Sequence, residues 1–432
     1  MTSRTCGTGE SGKAAQTVAV NTKPIDRNGG IAMSSTHTPI EFPASIPPLS
    51  RVLSGLGEEV QRRIILVSAL LMFLGAAQFP AFAADDTLSS GNQNQLMIYG
   101  MVTRALLFAD DGDRRNLFHI DGGVENSRLG WIAEGQLNED ITAGAQVEMD
   151  IPLSNAAGDV NLTDTEQTDD AAAIWGIRIQ EVTATHRRFG KLSLGQGDTA
   201  STDRVAIDLS GSDLAAGNNP ADMAGGIQFR NLTTGARTVA IGDVIDKVDG
   251  IDKDDRIRYD LPPFKGFNMA LSHTNNGAWD VGGVYGAEFG NFEVETAAFF
   301  ANISSTDTDQ QEMWGGSGSI KHKSGFSLTV AGAVKGQKTG GRDDPHYIWG
   351  KVGYSAGLTD IGETHFGVSY GQYNDFSQNG DEATSLGFGI VQDLEPIGSN
   401  LWLLVRNHEL DRTGTDSFHD IFIVSAGTLF NF

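Results

Sequence analysis

A two-residue alternation of apolar and polar side chains, repeated in blocks of about ten residues, limits this chain to a narrow set of folds. In ITAGAQVEMDI, residues 141–151, Ile141, Ala143, Ala145, Val147, Met149 and Ile151 share one side of an extended strand. Thr142, Gly144, Gln146, Glu148 and Asp150 share the other. Successive side chains of a strand point to opposite sides of the pleat, so this is a strand with one greasy and one wet face. Alternation alone does not say which face is inside. A soluble sandwich turns the apolar face into its core, whereas a membrane barrel turns it out to lipid.

The connections decide between the two. Alternating segments fall near 96–109, 124–137, 140–152, 173–187, 190–197, 255–261, 266–274, 279–289, 291–303, 312–322, 325–335, 346–356, 363–374, 381–393, 398–411 and 417–432, sixteen in all. Tight connections such as LNED (137–140), RFGK (188–191), LPPFKG (261–266) and EFGN (288–291) alternate with longer, acidic ones such as DDGDRRN and SSTDTDQQ. TNNGA (274–278) is short where a long one is due. Short turns at one rim and long loops at the other are the rhythm of a transmembrane antiparallel β-barrel. The faces agree: Leu129, Trp131, Ala133 and Leu137 oppose Arg128, Glu134 and Gln136, and Phe326, Leu328, Val330 and Val334 oppose small and polar residues. The greasy side therefore points outward. Arg104 and Glu181 are two charges that fall on that side, which places them at a rim, at a subunit contact, or in a strand whose register slips by one. The final strand, ending at Phe432, must close against the first, because no unpaired edge can face lipid.

Ahead of the strands, RRIILVSALLMFLGAAQFPAFA has a basic start, a short apolar run and an Ala81-Phe82-Ala83 cleavage pattern, the parts of an export signal over 61–83. Residues 1–60 are polar and without period, an extension or a misplaced start, and 84–432 is the barrel. The only cysteine is Cys6, so removal of the leader leaves no thiol. Before Ala84 lie seven basic and five acidic residues of the chain's 31 and 55, leaving 24 basic against 50 acidic and a net of -26. So acidic a chain lacks the basic footprint of a nucleic-acid binder.

ENSRLGWIAEGQLNEDITAGAQVEMD resembles the trimeric, sixteen-stranded general-diffusion porins of Gram-negative outer membranes, with their S/A-R-L-G-F-x-G strand, short turn and alternating strand. RRFGKLSLGQGDT is similar to that family's fifth strand and third loop, and RIRYDLPPFKGFNMALSH to the strand–turn–strand that follows. The terminal Phe432 fits the family's assembly signal. The stretch between Gly197 and Asp255 is longer than the family's third loop and has room for an extra hairpin at GGIQFRN.

The resemblance implies that this loop folds into the pore and sets carboxylates against arginines on the wall. Carried over position by position, Arg128 in SRLG, Arg178 in GIRIQ and Arg258 in IRYD are the wall arginines, with Arg230 in IQFRN a rival to the third. Asp203, Asp208, Asp213 and Asp222 are the loop carboxylates. The resemblance also implies a homotrimer in outer-membrane lipid and lipopolysaccharide, passing ions and small hydrophilic solutes without cofactor or catalysis. Selectivity in such a pore follows from its radius and lining, and the net acidity argues for cations. A substrate-selective channel, or a secreted all-β binding protein, remains the alternative.

Other signals carry less. The histidines are scattered, and GGSGS (315–319) is not the G-x-S-x-G of a hydrolase. DKVDGIDKDD (246–255) lacks the ligand spacing of a calcium loop and reads as a solvated segment.

Overall fold

Most wall strands pair with their neighbours in the chain, as expected where tight turns join alternating segments. The computed structural model describes residues 87–89, 94–151, 156–163, 175–307, 310–338, 340–414 and 417–432. The segments read as extension and export signal lie outside them. The strands are β1 Thr87–Ser89, β2 Gln95–Asp110, β3 Arg115–Ile120, β4 Arg128–Asn138, β5 Ile141–Asp150, β6 Gly176–His186, β7 Gly190–Asp198, β8 Gln228–Asn231, β9 Arg237–Ala240, β10 Lys253–Asp260, β11 Phe267–Thr274, β12 Trp279–Phe289, β13 Phe292–Asn302, β14 Gln310–His322, β15 Phe326–Gln337, β16 His346–Thr359, β17 Gly362–Asn374, β18 Asp381–Leu394, β19 Ser399–Arg412, β20 Phe418–His419 and β21 Ile421–Asn431.

All pairings between strands are antiparallel, and the wall closes on itself. β21 pairs with β2 from Met101↔Asn431 to Asp110↔Phe422, so the last strand of the wall seals against β2 and closes the cylinder. β3 and β4 both pair with β2, at its upper and lower halves, and together make one stave. Counted so, sixteen staves surround the interior. The second stave is where the sequence reading is corrected: a single strand at 124–137 was expected, but the chain pairs over 115–120, leaves the wall, and re-enters at Arg128. Arg104 stands beside that gap, 54% exposed on the outer face and 3.8 Å from Asp121. Glu181 has the other explanation. A bulge lies between Glu148 and Met149 in the β5–β6 ladder, and it shifts β6 by one residue so that Glu181 turns inward. There it meets Arg256, with Lys191 at 3.8 Å.

Apart from Arg104, the outer face carries a broad apolar band. Leu194, Val330, Ile348, Val368 and Leu386 come from five strands, and each leaves half or more of its surface exposed. Such a continuous greasy band is untenable in water and natural in lipid. Phe189, Phe264, Phe289, Phe292, Phe326 and Phe432 crowd near the rim of short turns, where aromatic rings favour the boundary between lipid and water.

The interior is not uniformly wet. The connection from β7 to β10, residues 199–252, turns inward and carries a core of its own, including Ile227, Phe229, Ile241, Val244 and Ile245, each at most 1% exposed. It packs against inward residues of β16, β17, β19 and β21, among them Tyr347, Tyr373, Leu404 and Ile423. The expected hairpin is present as β8–β9, and β20 joins it to form a three-stranded sheet. The water-lined face expected on every strand is thus confined to the rest of the wall, because the loop supplies apolar cover for one side.

Candidate functional site

Hydroxyls on the wall hold the loop by its backbone. The amides of Ile207 and Leu209 donate to the hydroxyls of Ser317 and Ser319, each at 3.0 Å, and Ser355 donates to the Ser210 carbonyl at 3.0 Å. Asp208 pairs with Lys351, a fully buried lysine. Burial opposes ionisation of Asp208, but Lys351 and the amide and hydroxyl of Ser210 outweigh it and hold the carboxyl below its usual range. At the loop's start Asp280 accepts from the Ser201 amide at 2.8 Å. At its hairpin, Arg237 donates to Asp111 and, at 2.9 Å, to Asp113. The loop is fixed at both ends and along its middle.

His365 reaches Ser355 Oγ at 2.9 Å through Nδ1 and Asp393 at 3.0 Å through Nε2. Residue types alone would suggest a hydrolytic triad. The Ser355 hydroxyl, however, is spent on the Ser210 carbonyl and lies buried beneath the loop tip, where no substrate carbonyl can approach it. These three residues fasten the loop.

Between the loop and the wall strands β4 and β6 a cavity of about 310 Å³ remains. Arg128 and Arg178 line it from the wall, and Asp203, Asp208, Asp213 and Asp222 from the loop. Six of the seven residues singled out from the sequence therefore meet in one space. Arg258 does not: its guanidinium donates to Asp260 at 2.7 Å and to the Thr199 carbonyl at 2.9 Å, tying down the base of the loop. Arg230 sits in β8, away from the lining. On the wall, Arg178 contacts Glu148 at 2.7 Å and Asp150 at 3.4 Å, and Arg128 contacts Glu125.

Sequence reasoning missed the loop's returning leg. Lys247, Asp249, Asp252 and Lys253 also line the cavity, and all four lie in the segment set aside as solvated. The inserted hairpin was the available signal, since a chain that crosses the barrel and returns must pass the same space twice. Lys247 contacts Asp249 at 2.8 Å. Burial works against the Lys247 charge, yet Asp249, Asp203 and Asp222 outweigh it and raise its pKa. Burial likewise pushes the Asp222 carboxyl up to about 7, against the pull of Lys247, Asn219 and Arg406.

Residues 68–398 match the family described as Gram-negative porin. No curated protein sequence matches the chain. Among solved structures it is similar to the anion-selective porin from Comamonas acidovorans, at 15% identity and a TM-score of 0.52, covering 78% of this chain and 100% of that one. It is also similar to in-vitro folded OmpT, an outer membrane protein of Vibrio cholerae, at 14% identity and a TM-score of 0.50, covering 81% of this chain and 100% of that one.

Proposed function

The chain belongs to the Gram-negative porin family, and on that premise we propose that the cavity beside β4 and β6 is the constriction of its channel. An outer-membrane porin is a pore rather than a catalyst, and its cargo crosses by passive diffusion. The carrying observation is the meeting of Arg128 and Arg178 with four loop aspartates in one cavity of about 310 Å³ inside a closed wall. Opposed charges across a narrow gap order water and polar solutes and disfavour apolar ones. Ions and small hydrophilic solutes are the cargo that fits.

We further propose a lean toward cations. The cavity is lined by Glu125, Asp203, Asp208, Asp213, Asp222, Asp249 and Asp252 against Arg128, Arg178, Lys247 and Lys253. The Comamonas porin is described as anion-selective, but at that identity only its fold transfers. A cleavable leader at 61–83, a homotrimer in the membrane plane, and lipid and lipopolysaccharide around the barrel complete the reading. The long apolar band on the outer face supports the last of these.

Swelling of liposomes containing the purified protein tests the channel. Sugars should enter at rates that fall steeply with size, and large oligosaccharides should be excluded. No swelling with even the smallest sugar would remove the reading.

A further inference from the structure

Both wall arginines share one carboxylate. Glu148, in β5 and 5% exposed, accepts from Arg178 Nε at 2.7 Å, and the same oxygen lies 3.7 Å from Arg128 Nη1. Its other oxygen accepts from the Tyr99 hydroxyl at 2.8 Å, and that hydroxyl accepts from Gln146 Nε2 at 2.7 Å. Glu125 and Asp150 also face the arginines, but their side chains are 37% and 31% exposed, where water and salt screen them. Glu148 is enclosed and held on both oxygens, so its charge cannot swing away.

We infer that Glu148 is a specificity-determining residue of the channel, which sets its cation preference by cancelling wall arginines that would otherwise attract anions. The inference rests on the channel reading above. With Glu148 ionised, the two guanidinium groups face three carboxylates and the wall side is acidic like the loop side. Without it, two positive groups face two screened, mobile ones, and the wall presents a fixed positive surface to passing ions.

The test is the reversal potential of single channels under a KCl gradient, in wild type, Glu148→Gln, Glu148→Asp and Glu148→Gln/Arg178→Gln. One unit of charge about 7 Å from an ion across water changes that ion's partition about threefold. The cation-to-anion permeability ratio of Glu148→Gln should therefore fall about threefold or more. Glu148→Asp should stay near wild type, and the double variant should return toward it, which a merely structural role of Glu148 would not produce. Should Glu148→Gln not assemble, Arg178→Gln reads the same balance from the other side, and its ratio should rise. A conducting Glu148→Gln channel with an unchanged ratio, a double variant no closer to wild type, or an Arg178→Gln channel with an unchanged ratio overturns the inference and leaves the channel standing. A wild type that does not conduct removes the channel reading itself.

Discussion

Asp222 is one of two loop carboxylates at the cavity that burial pushes up to about 7, the other being Asp249. Asp222 lies in the loop at the cavity edge, accepts from Asn219 Nδ2 at 2.7 Å, and has no cation in direct contact among the described residues. Burial raises its carboxyl to about 7, with Asp246 adding to the rise. Above that pH the group is ionised, and below it protonated and neutral. Lys247 keeps its proton throughout this range, because its pKa is raised. Cation preference should therefore weaken as pH falls from 8 to 5, by about two- to threefold for each charge lost near the path, Asp222 and Asp249 both contributing. Measured by reversal potential across that range, Asp222→Asn should show a clearly smaller swing. An equal swing in both proteins would assign the titration elsewhere. The carboxylates on the loop were legible through the resemblance to the porin family, but the perturbation of Asp222 was not, because it comes from burial against a loop whose path the sequence does not fix.

At the scale of elements the wall was legible and the loop was not. A strand declares itself by alternation, and β5, β12 and β18 fall within two residues of where the pattern puts them. The β-bulge opposite Glu148 and the broken second stave escaped because each is a one-residue slip or a detour in an otherwise regular ladder. The loop escaped because its order depends on contacts with distant strands. Strand glycines make room for it: a Cβ at Gly389 would lie 2.6 Å from the Ala215 Cβ and 3.0 Å from that residue's backbone. Gly389→Leu should then push the short helix Asp213–Ala216 off the wall and toward the cavity, at an overpacking cost of about 1–3 kcal/mol. Single-channel conductance should drop by about half or more if the cavity is the narrowest point. An unchanged conductance in a folded Gly389→Leu barrel would place the bottleneck elsewhere. At the loop tip, Gly211 adopts φ +74° with the His365 ring against it, so only glycine fits there without strain.

At the scale of the described residues, two features set the behaviour: a greasy exterior on a wall closed by β21 against β2, and an interior partly filled by apolar loop packing. The first ties the barrel to lipid. It also predicts a mobility shift on heating in denaturing gels, since a closed hydrogen-bonded wall resists detergent until it is melted. The second leaves a cavity beside β4 and β6 whose lining is mainly acidic, which on the proposed reading is the narrow, off-centre path. A trimer rests on family likeness, and would show as three equal conductance steps per insertion. The most direct measurement of the central claim is conductance across a planar lipid bilayer holding the purified protein in a salt gradient. The account expects stable, ion-conducting steps with a reversal potential of the sign that favours potassium over chloride. A protein that inserts but passes no current, or a pore that favours chloride, would contradict it.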